Sequence, residues 1–164
     1  MHIPTSPTRS GKTLLLKKLK QDEKIDATSS TVPTVGTHFT TVQLDNMKEV
    51  TIREIGGTMT PIWRSYFSGA KKIIYVVDTS NLCQISVAGV LFYELIAEPV
   101  LSSAKILLVL SKMDVSYRQM RNEALLMMQL ARLKREELHR DITVIEASGM
   151  SGHGIEELRK WLEV

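Results

Sequence analysis

The chain has 164 residues, 43% hydrophobic and 24% charged, with a formal net charge of +3. That size and balance predict one soluble globular domain over residues 1–164. Only 5% of residues are aromatic, with no basic–aromatic interleaving, which argues against a nucleic-acid platform, and no apolar run reaches the length of a membrane helix.

Cys83 is the only cysteine, so no disulfide can form within the chain. This fits a reducing compartment and a cytoplasmic protein. The start of the chain has no apolar secretory core, and His2 stands where N-myristoylation needs glycine, so no membrane anchor is evident.

In chain order, the first informative stretch is Ser6-Pro7-Thr8-Arg9-Ser10-Gly11-Lys12-Thr13, running into Leu14-Leu15-Leu16. It reads as a phosphate-binding loop opening a helix over residues 11–20. N–H groups at a helix start face an anion, and the helix dipole favours negative charge there. Lys12 adds a point charge for the outer phosphates, and Thr13 a hydroxyl for Mg²⁺. A nucleoside triphosphate is the expected ligand. Leu14, Leu15 and Leu19 are expected to face inward, with Lys17, Lys18 and Lys20 in water.

Residues 21–33 are polar and read as a loop. Residues 40–44 and 50–55 form two strands joined by a turn at 45–48, and Gly56-Gly57 breaks the second. A short helix follows over 61–67. Residues 72–77 (Lys-Ile-Ile-Tyr-Val-Val) and 105–110 (Lys-Ile-Leu-Leu-Val-Leu) are continuous apolar runs, as strands buried on both faces of a parallel sheet require. Between them lies a helix over 85–96. A long helix is expected over 120–139, with Leu125, Met128 and Leu133 as its core stripe. A strand over 142–145 and a helix over 154–162 complete the alternation. The order predicts an α/β fold with a mostly parallel sheet flanked by helices. Ligands of such sheets sit at the carboxyl ends of the strands.

Three more segments fall at those ends: Glu54-Ile55-Gly56-Gly57, Ser111-Lys112-Met113-Asp114 and Ser148-Gly149-Met150. With Pro33-Thr34-Val35-Gly36, Pro61-Ile62-Trp63-Arg64-Ser65-Tyr66-Phe67 and Tyr75-Val76-Val77-Asp78-Thr79-Ser80-Asn81, they make the chain resemble small GTPases of the ADP-ribosylation factor-like group from Ser10 to Leu162. The resemblance implies a P-loop small-GTPase fold that binds GTP or GDP with Mg²⁺. Its effector, exchange factor and GTPase-activating protein would engage the switch regions.

The resemblance also implies residue roles. Arg9, Ser10, Gly11, Lys12, Thr13 and Leu14 would surround the phosphates, and Thr13 and Thr34 would ligate Mg²⁺. Gly57 would give its N–H to the γ-phosphate. Asp114 would accept two hydrogen bonds from guanine, Lys112 would lie along the base, and Ser111, Ser148 and Gly149 would complete the base site. Adenine lacks the donors Asp114 needs, a loss that can discriminate by as much as roughly 10⁴-fold.

Several positions depart from the family pattern. Ser6 replaces the loop's first glycine, and Glu54 replaces the aspartate behind the metal. Ser111 replaces the asparagine that ties the base to the phosphate loop, which predicts weaker guanine binding, and Met150 stands in the last base segment. Thr58 stands where a glutamine orients the attacking water in catalysis, so hydrolysis is expected to be slow or partner-dependent. These departures support an alternative, a pseudo-GTPase interaction module. The Gly-Lys-Thr core is also shared with small-molecule kinases, a reading that leaves the Thr34 and Gly57 segments without a purpose. Finally, Met1 to Thr5 offer little for the buried strand that should precede the loop, and Pro4 cannot donate to a central ladder. That first strand therefore reads as truncated or improvised.

Overall fold

Two apolar runs define the centre of the sheet in the computed structural model, which describes residues 2–5, 9–21, 33–45, 47–116, 118–129 and 140–164. They form β4 (Lys72–Asp78) and β5 (Lys105–Ser111), nearly every residue of which is buried. Around them lie β1 (His2–Thr5), β2 (Thr37–Gln43), β3 (Glu49–Ile55) and β6 (Ile142–Glu146). The order across the six-stranded sheet is β2-β3-β1-β4-β5-β6. Among the described residues, only the β2–β3 pair is antiparallel.

Among the described residues, the α-helices are α1 (Lys12–Leu19), α2 (Leu82–Ile96), α3 (Arg118–Met127) and α4 (Ile155–Glu163). Period-two alternation along β4 sends Ile73, Tyr75 and Val77 to one face and Ile74 and Val76 to the other. The first face packs against Ile85, Phe92 and Ile96 of α2, together with Trp63 and Phe67. The second packs against Leu15, Leu16 and Leu19 of α1 and Leu158 and Leu162 of α4. Each sheet face thus has its own apolar layer, the arrangement expected of a parallel α/β sheet. Among the described residues, no helix is long and apolar enough to cross a membrane.

The first strand does form. His2–Thr5 lies between β3 and β4, with His2 opposite Ile52 and Lys72, and Thr5 opposite Tyr75. Pro4 removes one donor from this ladder. Neighbours on both sides override the poor local signal. The early turn of α1 also differs in register: Leu16 is buried at 4% exposure, whereas Leu14 is only half-buried. The short helix expected over 61–67 is a 3-10 helix over Gly57–Tyr66. The long helix expected over 120–139 ends, within the described residues, at Met127, and Gln129 turns away at φ 48°. Met128 is buried as expected, and Leu133 lies outside the described residues, as do residues 22–32 of the expected loop.

Two long-range contacts fasten α4. Lys72 Nζ donates to the carbonyls of Trp161 and Leu162, at 3.0 and 2.8 Å. The guanidinium of Arg159 donates to the carbonyls of Leu19 and Gln43, at 2.8 and 2.6 Å, and to Asp45 Oδ1 at 3.1 Å. At the other end of α4, Gly154 sits at φ 71°, and a Cβ there would lie 1.9 Å from the Glu146 carbonyl oxygen. Gly154→Ala therefore combines a left-handed backbone with a backbone clash. We expect it to cost about 2–4 kcal/mol, read as a lower urea midpoint at unchanged slope.

Candidate functional site

The site begins where β1 hands over to α1. Ser6 to Thr8 lie outside the described residues. Arg9 at φ 62° and Gly11 at φ 88° turn the chain sharply into the helix. Arg9 is exposed, and Ser10 is buried at 1% exposure. α1 starts with no side-chain cap and no acidic residue in its first turn, a start that suits an anion.

Lys12 is buried beside that turn at 6% exposure, with Nζ 3.3 Å from Ser10 Oγ. Burial lowers its pKa from the ordinary 10.5 to about 8, and the negative charge of Glu54 opposes the shift. This cation is held at an energetic cost, which an arriving polyphosphate would relieve.

Next to it, three oxygens converge. Thr13 Oγ1 lies 2.5 Å from Glu54 Oε1 and 3.1 Å from Thr34 Oγ1. Thr34 Oγ1 lies 3.2 Å from the same Glu54 oxygen. Glu54 is 1% exposed, so its carboxylate is shielded from bulk water. Two hydroxyls and a carboxylate are hard oxygen donors, a set that fits Mg²⁺ better than a softer ion. Glu54 Oε1 thus reaches both hydroxyls. No cluster of three or more His, Cys, Asp or Glu occurs among the described residues.

The segment after β3 is locked to the Thr34 segment. Gly56 N–H donates to the Gly36 carbonyl at 3.0 Å, and a Cβ on Gly56 would lie 2.0 Å from the Thr34 carbonyl oxygen. Only glycine permits that approach. Thr60 Oγ1 donates to the Gly57 carbonyl at 2.7 Å, and Trp63 Nε1 to the Gly56 carbonyl at 3.3 Å. Gly57 is half-buried beside this pair, whereas Thr58 is exposed.

The ends of β5 and β6 supply the other half. Ser111 Oγ lies 2.6 Å from the Ser10 carbonyl and 2.9 Å from the Val77 carbonyl, so its single proton reaches the turn before α1. The serine expected to weaken guanine binding ties this loop to the turn before α1 through its hydroxyl. Lys112 takes φ 60°, and its ammonium pairs with Asp78 at 2.6 Å. Asp114 is exposed, and Ser148 Oγ donates to its Oδ1 at 2.5 Å. The same Ser148 oxygen accepts the N–H groups of Met150 and Ser151, at 3.2 and 3.1 Å. Gly149 is buried against the start of α1, where a Cβ would lie 3.0 Å from Leu14.

The fold thus gathers Ser10, Lys12, Thr13, Thr34, Gly57, Ser111, Lys112, Asp114, Ser148 and Gly149 at the carboxyl edge of the sheet. It leaves the side chains of Arg9 and Thr58 outward. Sequence reasoning missed Asp78 as a partner of Lys112. The available signal was an acidic residue ending a buried parallel strand, where polar groups serve sites.

The family model of the ADP-ribosylation factor family matches residues 8–164. Among curated proteins, ADP-ribosylation factor-like protein 16 of Homo sapiens is 32% identical over 166 residues, 95% of this chain and 81% of that protein. ADP-ribosylation factor 3 of Arabidopsis thaliana is 36% identical over 108 residues, 65% of this chain and 57% of that protein. The structure of the Arl6 BBS3 small GTPase from Trypanosoma brucei with bound nucleotide analogue GppNp shares the fold, with a TM-score of 0.79 at 18% identity over 99% of this chain and 95% of that one. The mammalian SRP receptor shares it too, with a TM-score of 0.74 at 16% identity over 98% and 97%.

Proposed function

Because the chain belongs to the ADP-ribosylation factor family, we propose that it is a guanine-nucleotide switch that binds GTP and GDP with Mg²⁺ in the cytoplasm. The observation that carries this reading is the meeting of Thr13, Thr34 and Glu54 beside the buried Lys12. These residues come from three separate segments, and ordering two of them around one ion is how such switches report a γ-phosphate.

In this reading, Lys12 and the first N–H groups of α1 hold the β- and γ-phosphates. Thr13, Thr34 and Glu54 would hold the Mg²⁺, which neutralises phosphate charge when bound. The Gly57 N–H meets the γ-phosphate, and the bond from the neighbouring Gly56 N–H to the Gly36 carbonyl couples this segment to that of Thr34. Asp114 accepts from guanine, with Ser148 fixing its rotamer. The Gly149 N–H meets the guanine carbonyl, and Lys112 lies along the base. The ordered Thr34 and Gly57 segments then present a surface to an effector, an exchange factor or an activating protein.

Hydrolysis is slow on this reading. Thr58 carries no amide to orient water, and its side chain is exposed. An arginine supplied by an activating protein would restore the rate. The same exposed Thr58 favours a second reading, an interaction module that binds nucleotide weakly and turns over none. Calorimetry with GTP, GDP and ATP, each with and without Mg²⁺, tests the first reading. Micromolar or tighter, Mg²⁺-dependent binding of the guanine nucleotides alone is expected. No saturable heat with GTP or GDP would remove it. Single-turnover product above the Lys12→Ala background then separates an enzyme from a module.

A further inference from the structure

Asp78 ends β4 and faces Ser111 across the parallel ladder. It is 6% exposed, and its two oxygens have separate tasks. Oδ1 accepts from the backbone N–H and the hydroxyl of Ser80, at 2.9 and 2.6 Å. Oδ2 accepts from Lys112 Nζ at 2.6 Å. The next residue grips the same loop through its backbone: Thr79 Oγ1 donates to the Ser111 carbonyl at 2.8 Å. The end of β4 therefore clamps Ser111 by its main chain and Lys112 by its head group.

The clamp opposes an entropic cost. A lysine side chain has many rotamers, and ordering it on binding subtracts from affinity. Lys112 is already fixed at both ends. Its backbone sits in the left-handed region, and its ammonium is tied to a carboxylate that Ser80 holds in one rotamer. The stem between those ends lies in the segment assigned above to the nucleotide base.

We propose that Asp78 is a positioning residue that pre-orders Lys112 against the base of a bound guanine nucleotide, and so sets how long the nucleotide stays. The inference rests on the nucleotide reading above. It extends the base site by one residue, at the end of β4.

The test is a double-substitution cycle on dissociation of a fluorescent GDP analogue in Mg²⁺ buffer. Asp78→Asn should speed release about tenfold, and Lys112→Ala by a similar factor, since a charge-assisted bond is lost in each case. The double variant should release no faster than Lys112→Ala alone, because the two residues act through one contact. Asp78→Glu keeps the charge and should fall between wild type and Asp78→Asn. Urea midpoints accompany each variant, so that lost folding is separated from lost positioning. Two outcomes overturn the proposal while leaving the nucleotide reading intact. One is wild-type release from Asp78→Asn; the other is the same tenfold effect of Asp78→Asn in the Lys112→Ala background. A wild-type protein that binds no guanine nucleotide removes both.

Discussion

Lys12→Met is expected to abolish triphosphate binding and at the same time to stabilise the ligand-free protein. The two effects share one cause. Burial holds the Lys12 pKa near 8, against the ordinary 10.5 of an unfolded chain. Below about pH 8 both folded and unfolded forms carry the charge, and the folded form bears the full desolvation cost. The gap corresponds to about 3 kcal/mol, at roughly 1.4 kcal/mol per pH unit. Between about pH 8 and 10.5 the folded protein has released this proton while the unfolded chain retains it. The unfolded state then binds more protons, so stability rises with pH across that window.

Methionine fills similar space without charge and should remove the Lys12 contribution to this dependence. Urea denaturation of both proteins at pH 7.5 and pH 10 measures it. Wild type should gain stability at the higher pH, and Lys12→Met should start higher and gain less, the remainder coming from Lys72, whose pKa burial also lowers. A methionine variant no more stable than wild type at pH 7.5 would show that Lys12 is not strained in the free protein. Phosphate binding acts in the opposite sense, because an anion beside the ammonium favours its charged form. Above pH 8, nucleotide binding should therefore take up a proton, seen as a calorimetric heat that varies with the ionisation enthalpy of the buffer.

The second large effect concerns Glu54. Glu54→Gln preserves shape and an acceptor oxygen for the Thr13 and Thr34 hydroxyls, so the fold should survive. The negative charge is lost. If Thr13, Thr34 and Glu54 together hold Mg²⁺, the variant should lose about 10–100-fold in metal affinity. Its nucleotide affinity should then barely change when chelator replaces Mg²⁺, whereas that of wild type should fall. Equal Mg²⁺ dependence in both proteins would exclude Glu54 from the metal site. A second readout is independent of nucleotide. Glu54 raises the Lys12 pKa against the burial effect, so its removal should start the rise of stability below pH 8.

The strands β4 and β5 were legible because both of their faces are buried, which leaves no polar residue to interrupt the run. The helix starting at Lys12 was legible from its Gly-Lys-Thr opening and leucines. One member of its inward face was misjudged: Leu14 packs against Gly149, and Leu16 joins Leu15 and Leu19 in the core. The strand at His2–Thr5 was illegible for a related reason. Its place is decided by β3 and β4, which lie far along the chain. The same distance hid the contacts within the candidate site. The motif segments could be named one by one, and the resemblance set them in order. That Ser111 reaches Ser10 across 101 residues, and Lys112 reaches Asp78 across 34, follows only from the crossovers. Glu54 read as a substitution that left a longer arm in a tight place, and packing turned that arm toward two hydroxyls.

Arg159 ties the carbonyl of Leu19 to that of Gln43, joining the close of the first helix to the end of an edge strand through a residue made much later. During synthesis on the ribosome, those early segments wait for more than a hundred residues before their fastener emerges. Ser148, which props Asp114, is likewise made late. Competence to hold a ligand should therefore arise abruptly near the end of translation rather than growing with length, and an arrested nascent chain stopping short of Arg159 should remain protease-sensitive around residues 19 and 43.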